Sequence, residues 1–337
     1  MPKHKHAVIF ACDHNYIWPA LLAANAVYDH AASKEFDIRI FSSTYVPDGF
    51  AERCRPGVTA EQLPMGDFSV KTGITERYSM ATFLRLFAIR KIEADYDRIL
   101  YLDADVAVRH GDVNVFWEAD LGGRPAAAVR DWFNWGPVKP LNAGYMQSLG
   151  ISEATGGYFN SGYLLVDAKE WARQDLVGEV LCFLDSCPEL CRFHDQSALN
   201  YVLKGRWAEV SPLWNWQTKI LHHILMIETR DPHVIHFNAR RKPWRDRERM
   251  IGVAFKDPLK DLAHAVGWDA FDDEYSMGPM RRRKERVRAE TIAALYQSLP
   301  TYMSQIWPYL SREDFIDTPH GERVIDIVDA RSASVEP

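Results

Sequence analysis

Cysteine is sparse and irregularly placed in this chain: Cys12, Cys54, Cys182, Cys187 and Cys191 are the only five among 337 residues. An odd count without a regular framework points to a reducing compartment rather than a disulfide scaffold. The last three are separated by four and three residues, so they form no CxxC pair. With only His194 on offer as a fourth ligand, a structural zinc is the lesser reading against free thiols. Long apolar runs are also missing. The stretch from Ala7 to Cys12 is only six residues long before Asp13, too short for a signal-peptide core, and nothing else approaches a membrane span. The expected location is the cytoplasm, with peripheral contact at the inner membrane face left open. Basic charge is not in excess either, since 40 Lys and Arg face 46 Asp and Glu for a net charge of −6. That balance disfavours a general nucleic-acid binder. No G-x-G-x-x-G follows the first apolar strand, which counts against a dinucleotide dehydrogenase.

What is present suits a large α/β domain. Hydrophobic residues make up 47% of the chain, enough for a sizeable core. Val8 to Ala11 reads as a buried strand, Tyr16 to His30 as a helix, and Phe36 to Phe41 as a strand. This β-α-β opening predicts a partly parallel sheet. The segment from Pro47 to Gly73 carries several Pro and Gly and gives no clear element. Met80 to Ile92 reads as helix and Arg98 to Leu102 as a strand stopping at Asp103. Further strands are expected at Ala126 to Val129, Tyr163 to Val166 and Val234 to His236, and helices at Ala168 to Leu184 and Gln196 to Leu203. From about Ile251 the chain becomes charged and mostly helical. The expected organisation is therefore a catalytic domain over 1–250 and a helical extension over 251–337.

Two motifs carry chemistry. Asp103-Ala104-Asp105 follows the apolar strand ending at Leu102. In an ideal strand, residues i and i+2 share a face, so both carboxylates can address a divalent cation where the strand gives way to a loop. Hard cations such as Mn²⁺ or Mg²⁺ take such oxygens and let substrate phosphates complete the shell. A solvated strand-end turn is the plain alternative. The second motif, His236-Phe237-Asn238-Ala239-Arg240-Arg241-Lys242-Pro243-Trp244, also follows a strand. His236 offers a third metal ligand and Lys242 a point charge for a pyrophosphate; alone, this segment is more simply a core histidine and a basic loop. Together, two carboxylates, a histidine and a lysine are what departure of a nucleoside diphosphate requires.

The sequence resembles glycosyltransferase family 8, retaining enzymes that include bacterial lipopolysaccharide galactosyl- and glucosyltransferases. Six blocks in the family's order carry the resemblance between about His6 and Trp244: Phe10 to Tyr16, Ala81 to Leu86, Ile99 to Val106, Tyr158 to Gly162, His194 to Gln196, and His236 to Trp244. It implies the GT-A fold: an α/β nucleotide-diphospho-sugar transferase domain with a mixed, mainly parallel central sheet, here with the helical C-terminal appendage. By match, Ala11, Asp13, Asn15 and Tyr16 bind the uracil and ribose of UDP. Tyr16 has a ring for stacking, and helix capping is the competing role of Asp13 and Asn15. Asp103, Asp105 and His236 match the metal ligands, usually of Mn²⁺, with Ala104 between the carboxylates. Arg85, Asn160, Asp195 and Gln196 match positions that hold the transferred hexose, and Ser161 belongs to the same donor-binding block. Asp195 could instead cap the helix after it, and Asn160 could serve only a turn. Asp195, Gln196 and Lys242 are the expected catalytic residues.

The resemblance implies transfer of a hexose, galactose or glucose, from a UDP-sugar to a saccharide or glycolipid acceptor, as in lipopolysaccharide synthesis. An amide such as Gln196 is a poor nucleophile, so front-face transfer is favoured over double displacement, with the leaving phosphate accepting the acceptor's proton. One departure stands out: Ala239 occupies the place of a family glycine, where positive φ and close phosphate approach are at stake. Trp132, Trp135, Trp214 and Trp216 offer rings for an acceptor sugar, though core packing is the plainer reading of each. The basic run Arg281 to Arg288 suits an anionic membrane surface. Two other classes stay open: a nucleotidyltransferase acting on sugar phosphates, whose glycine-rich lysine loop is absent, and a non-catalytic nucleotide-sugar binder.

Overall fold

The computed structural model describes residues 2–64, 80–134, 139–217, 230–238, 242–245 and 253–268, the single positions 227, 271 and 307, and two short segments at 315–317 and 323–326. The strands are β1 (His6–Cys12), β2 (Asp37–Ser42), β3 (Val58–Gln62), β4 (Arg98–Leu102), β5 (Val106–Val108), β6 (Ala126–Arg130), β7 (Phe159–Asp167), β8 (Trp207–Val210), β9 (Trp216–Gln217), β10 (Val234–His236), β11 (Phe315–Asp317) and β12 (Arg323–Asp326). Among the described residues, nine of them form one sheet in the order β12-β11-β8-β6-β7-β4-β1-β2-β3, and β5-β10-β9 form a second. Within the nine-stranded sheet β7 runs against β4 and β6, and β11 against β8 and β12, while its other pairs are parallel; in the second sheet β10 runs against β5 and parallel to β9. All strands of the nine-stranded sheet except β7 and β11 thus run in one direction, so it is mixed and mainly parallel, as expected.

Alternation along β1 shows how the layers arise. Ala7, Ile9 and Ala11 join one hydrophobic cluster with helix α2 (Leu84–Ile92), whereas Val8, Phe10 and Cys12 join the other with helix α1 (Ile17–His30). Successive strand residues point to opposite faces, so a central strand buried on both sides must be apolar throughout. The result is a sheet between two helical layers. From β1 the chain moves outward through β2 to β3 and then returns to the other side of β1 as β4. The loops after β1 and β4 therefore part at a topological switch point, where α/β sheets bind their ligands.

Several local expectations shift. The strand expected at Tyr163 to Val166 begins at Phe159, so Asn160 and Ser161 lie within β7, not in a turn before it. The helix expected over Ala168 to Leu184 is two helices, α3 (Ala168–Arg173) and α4 (Leu176–Ser186), parted at Asp175, whose φ of 48° is left-handed. Asp195 lies in the first turn of helix α5 (Asp195–Leu203), with His194 in the capping position, so Asp195 is not the cap. Beyond residue 250, the helix Val253–Ala265 brings Leu259 and Ala263 into a cluster with Leu22, Trp216 and Trp244. β11 and β12, in the part of the chain expected to be mostly helical, lengthen the sheet beyond β8. Ala239, Trp135 and the Arg281 to Arg288 run lie outside the described residues.

Candidate active site

The two carboxylates of the DxD motif converge, but by a different route from strand alternation. Asp103 and Asp105 lie in the turn joining β4 to β5, not on one strand face. Turning the chain back there brings β5 alongside β10 in antiparallel register, with Val106 opposite His236. The main chain closes the loop further, as Phe237 N–H donates to Asp105 O at 2.9 Å and Asp103 N–H to Gly162 O at 2.9 Å. One ligand atom each from Asp103, Asp105 and His236 then falls within 4.8 Å of the others. His236 Nε2 is 3.5 Å from Asp103 Oδ2 and 3.2 Å from Asp105 Oδ1. Gly162 is part of this geometry. A Cβ there would come within 2.3 Å of His236 Cε1 and 2.6 Å of Asp103 Oδ2, so a side chain would displace both. Two carboxylates and an imidazole, gathered by a glycine that leaves them room, fit a divalent cation.

Lys242 and Arg85 supply the positive charge. Lys242 Nζ is buried and donates to Asp105 Oδ2 and Phe237 O. Burial opposes its charge, yet Asp105 beside it holds the ammonium above its ordinary range. Burial likewise pushes the Asp105 carboxyl up, but Lys242 and His236 outweigh that and hold it well below the carboxylate range. Arg85, only 8% exposed on α2, sits 2.7 Å through Nε from Asp195 Oδ2 and 3.4 Å through Nη1 from Asp103 Oδ1. This is no ordinary surface pair, and the same guanidinium also donates to the hydroxyl of Ser161 at 3.1 Å. Burial works against the Arg85 cation, but the two aspartates more than restore it. Asp195 shares that cation with Asp103, and burial raises its carboxyl to about 6. Tyr101 Oη donates to Asp103 Oδ1 at 2.6 Å, and burial keeps the phenol protonated.

Gln196 lies on the other side of this group with its amide fully engaged. Its Oε1 accepts from Ser161 N–H at 3.1 Å, Ser161 Oγ at 3.3 Å and Asn160 Nδ2 at 3.3 Å. Nε2 donates to Asp131 Oδ2 at 3.4 Å. An oxygen so occupied by donors is withdrawn from attack on a substrate carbon.

Ala11, Asp13, Tyr16, Arg85, Asp103, Ala104 and Asp105 all border one cavity of about 210 Å³. Its mouth is the switch point between β1 and β4. Asn15 is not among the residues lining it; Asn15 is exposed, and its N–H donates to Asp13 Oδ1 at 2.9 Å. That contact belongs to the turn before α1 and not to a helix cap, since α1 has no side-chain cap. A larger open groove of about 810 Å³ between α4 and α5 is lined by none of the expected site residues. Trp214 and Trp216 are 2% and 1% exposed and belong to the core, with Trp214 packed edge-on against Phe116 at 4.5 Å. They are therefore no platform for a sugar; Trp132 is half-buried and borders Gln217. All five cysteines are free, and among the described residues none belongs to a metal-ligand group.

Sequence reasoning missed Asp131, Asn215 and the steric role of Gly162. Asp131 and Asn215 contact other polar side chains across 29 and 21 positions, and no local spacing signals such pairs. Gly162 stood inside a recognised block, and its lack of a side chain was the available signal.

The model of the family described as glycosyl transferase family 8 matches residues 7–248. The chain is 28% identical over 251 residues to lipopolysaccharide 1,2-glucosyltransferase of Escherichia coli (strain K12), covering 70% of this chain and 72% of that protein. It is 32% identical over 160 residues to general stress protein A of Bacillus subtilis (strain 168), covering 44% of this chain and 52% of that protein. Among solved structures, it superposes on the galactosyltransferase LgtC in complex with donor and acceptor sugar analogues. The TM-score is 0.63 at 24% identity, over 82% of this chain and 99% of that one. This last likeness concerns the fold, which is the GT-A arrangement anticipated above.

Proposed function

Because the chain belongs to glycosyltransferase family 8 and is thus a sugar-transferring enzyme, we propose that it moves galactose or glucose from a UDP-hexose to a saccharide acceptor, with retention, in making a surface glycan such as lipopolysaccharide. The observation carrying this reading is the meeting of Asp103 and Asp105, which line the β1–β4 cleft, with the buried His236 and Lys242 behind them. Asp103, Asp105 and His236 would hold Mn²⁺ or Mg²⁺, which when bound supplies Lewis-acid charge to the departing diphosphate. Lys242 stands where it can take up charge developing on that diphosphate once its contact with Asp105 is shared. Ala11, Asp13 and Tyr16 would receive the uridine, with Asn15 supporting the turn. Arg85, Asn160, Ser161 and Asp195 would hold the hexose hydroxyls.

Front-face transfer is the favoured route. The Gln196 oxygen is turned into three donors, and Asp195 is tied to Arg85, so neither presents a free nucleophile. The acceptor's proton then passes to the leaving phosphate. We further assign residues 1–250 to catalysis and 251–337 to an extension whose run from Arg281 to Arg288 meets an anionic inner membrane face or a glycolipid acceptor. Vesicle flotation of the Arg281→Ala, Arg282→Ala, Arg283→Ala variant measures that contact, and undiminished binding would remove it.

The function is tested by incubating the protein with Mn²⁺ and, separately, UDP-glucose, UDP-galactose, UDP-N-acetylglucosamine and UDP-glucuronate, and measuring released UDP. Release from UDP-glucose or UDP-galactose is the expected result. Pyrophosphate release from UTP and a sugar phosphate, with no UDP from any donor, would replace the transferase reading by the nucleotidyltransferase one.

A further inference from the structure

Behind the metal-ligand group, four buried polar residues form a single line of hydrogen bonds. Asp131, Asn160, Asn215 and His236 are each 5% exposed or less. Asn160 Nδ2 donates to Asp131 Oδ2 at 2.9 Å, Asn215 Nδ2 donates to Asn160 Oδ1 at 3.0 Å, and His236 Nδ1 lies 2.9 Å from Asn215 Oδ1. Amide orientation and imidazole tautomer are ordinarily matters of assignment, but here the partners dictate them. Gly162 N–H, which can only donate, lies 3.1 Å from Asn160 Oδ1, so the oxygen of Asn160 must face Gly162 and Asn215. The NH₂ of Asn160 then faces the Asp131 carboxylate, which accepts. Since the acceptor on Asn160 is met by Asn215 Nδ2, the oxygen of Asn215 faces His236. An oxygen there can only accept, so Nδ1 of His236 must carry a proton.

We infer that Asn215 and Asp131 are positioning residues for the metal: a one-way chain of donors, anchored on the Asp131 carboxylate, holds His236 as the Nδ1–H form and aims the Nε2 lone pair at the gap between Asp103 and Asp105. Outer partners of this kind orient a ligating imidazole and raise its basicity. The same anchor takes the Gln196 amide at 3.4 Å, so the amides of Asn160 and Gln196 and the imidazole of His236 are set by one buried charge. The inference rests on a metal being held at Asp103, Asp105 and His236, and it adds two residues that stand behind those ligands.

The test begins with the unaltered protein. Long-range ¹H–¹⁵N correlation at pH 8 without added metal, with the His236 signal identified by its loss in His236→Gln, should show a proton on Nδ1. A bare Nδ1 overturns the chain without any variant having to fold. Mn²⁺ titration in the presence of UDP should then show binding weakened about 10- to 100-fold in Asn215→Ala. Asn215→Asp, which can still accept from Nδ1–H but no longer donates to Asn160 Oδ1, should weaken binding less than Asn215→Ala. Asp131→Ala, three hydrogen bonds from the ligand atom, should also weaken binding. Mn²⁺ affinity equal to the unaltered protein's in Asn215→Ala or Asp131→Ala overturns the proposal. Protonated Nδ1 and weakened Mn²⁺ binding alongside no turnover of any UDP-sugar would leave the chain standing and remove the transferase reading instead.

Discussion

Asp105 and Asp195 belong to one site, and their carboxyls are pushed in opposite directions. Burial raises both, yet Asp105 ends well below the ordinary carboxylate range and Asp195 ends at about 6. The difference lies in their partners. Asp105 has Lys242 in direct contact and His236 at 3.2 Å. Asp195, 1% exposed, has Arg85 at 2.7 Å but shares it with Asp103, whose charge also acts on Asp195. A buried charge is stable only with a partner of its own. The carboxylate beside the candidate cation site is thus kept ionised far into acid, whereas the one that shares Arg85 takes up its proton as the pH falls through about 6.

The comparison can be broken most drastically at its metal side. Asp105→Asn keeps the shape, removes the charge and leaves Lys242 buried without its carboxylate. UDP release from UDP-hexose with Mn²⁺ should fall roughly 10³-fold or more, the scale of several kcal/mol of lost charge stabilisation. Turnover within a few-fold of the unaltered enzyme would take Asp105 out of the chemistry.

Next in size is the shared cation. Arg85→Met strands Asp103 and Asp195 together, and urea unfolding should show about 3–5 kcal/mol of lost stability, the usual cost of breaking a buried pair. Adding Asp195→Asn to that variant should return part of the loss, because one of the stranded charges is gone. If the double variant is no more stable than Arg85→Met, Asp195 does not depend on Arg85 as the geometry indicates.

The smallest effect sharpens the contrast through pH. Asp195 has a folded value of about 6 against an unfolded value of 3.8, so the folded protein binds the extra proton between these limits. Its contribution to stability is full below pH 3.8 and is lost as pH rises through 6, by about 3 kcal/mol at most. Activity should run the other way, with UDP release rising through pH 6 as the carboxylate forms to hold a hydroxyl. Asp195→Asn should flatten both limbs near pH 6. A stability profile for Asp195→Asn that still falls between pH 4 and 6 as steeply as the unaltered protein's would assign the effect to another group.

Much of the fold was legible because its cause is local. The alternation that divides β1 between two cores, the β-α-β opening and the apolar run ending at Leu102 are properties of neighbouring residues. The ligand types Asp103, Asp105 and His236 were legible as well, each at the end of an apolar strand. The split at Asp175 was not, because a left-handed backbone at φ 48° in an otherwise helical run leaves no pattern in side-chain polarity. Trp214 and Trp216 were open to either reading, since an aromatic ring serves a core or a sugar equally well and only burial separates the two.

By itself the amino-acid sequence determined the α/β order of elements, the family, and which residue types are available for a cation and a diphosphate, because periodicity and motif blocks are written along the chain. Tertiary structure alone decided that Asp105 meets Lys242 across 137 positions, that His236 lies opposite Val106, and that Asp131 and Asn215 stand behind it. These are pairings between residues far apart in sequence, set by the tertiary fold, and so are the opposite shifts of the Asp105 and Asp195 carboxyls, since a carboxyl's proton affinity depends on the charges the fold places around it.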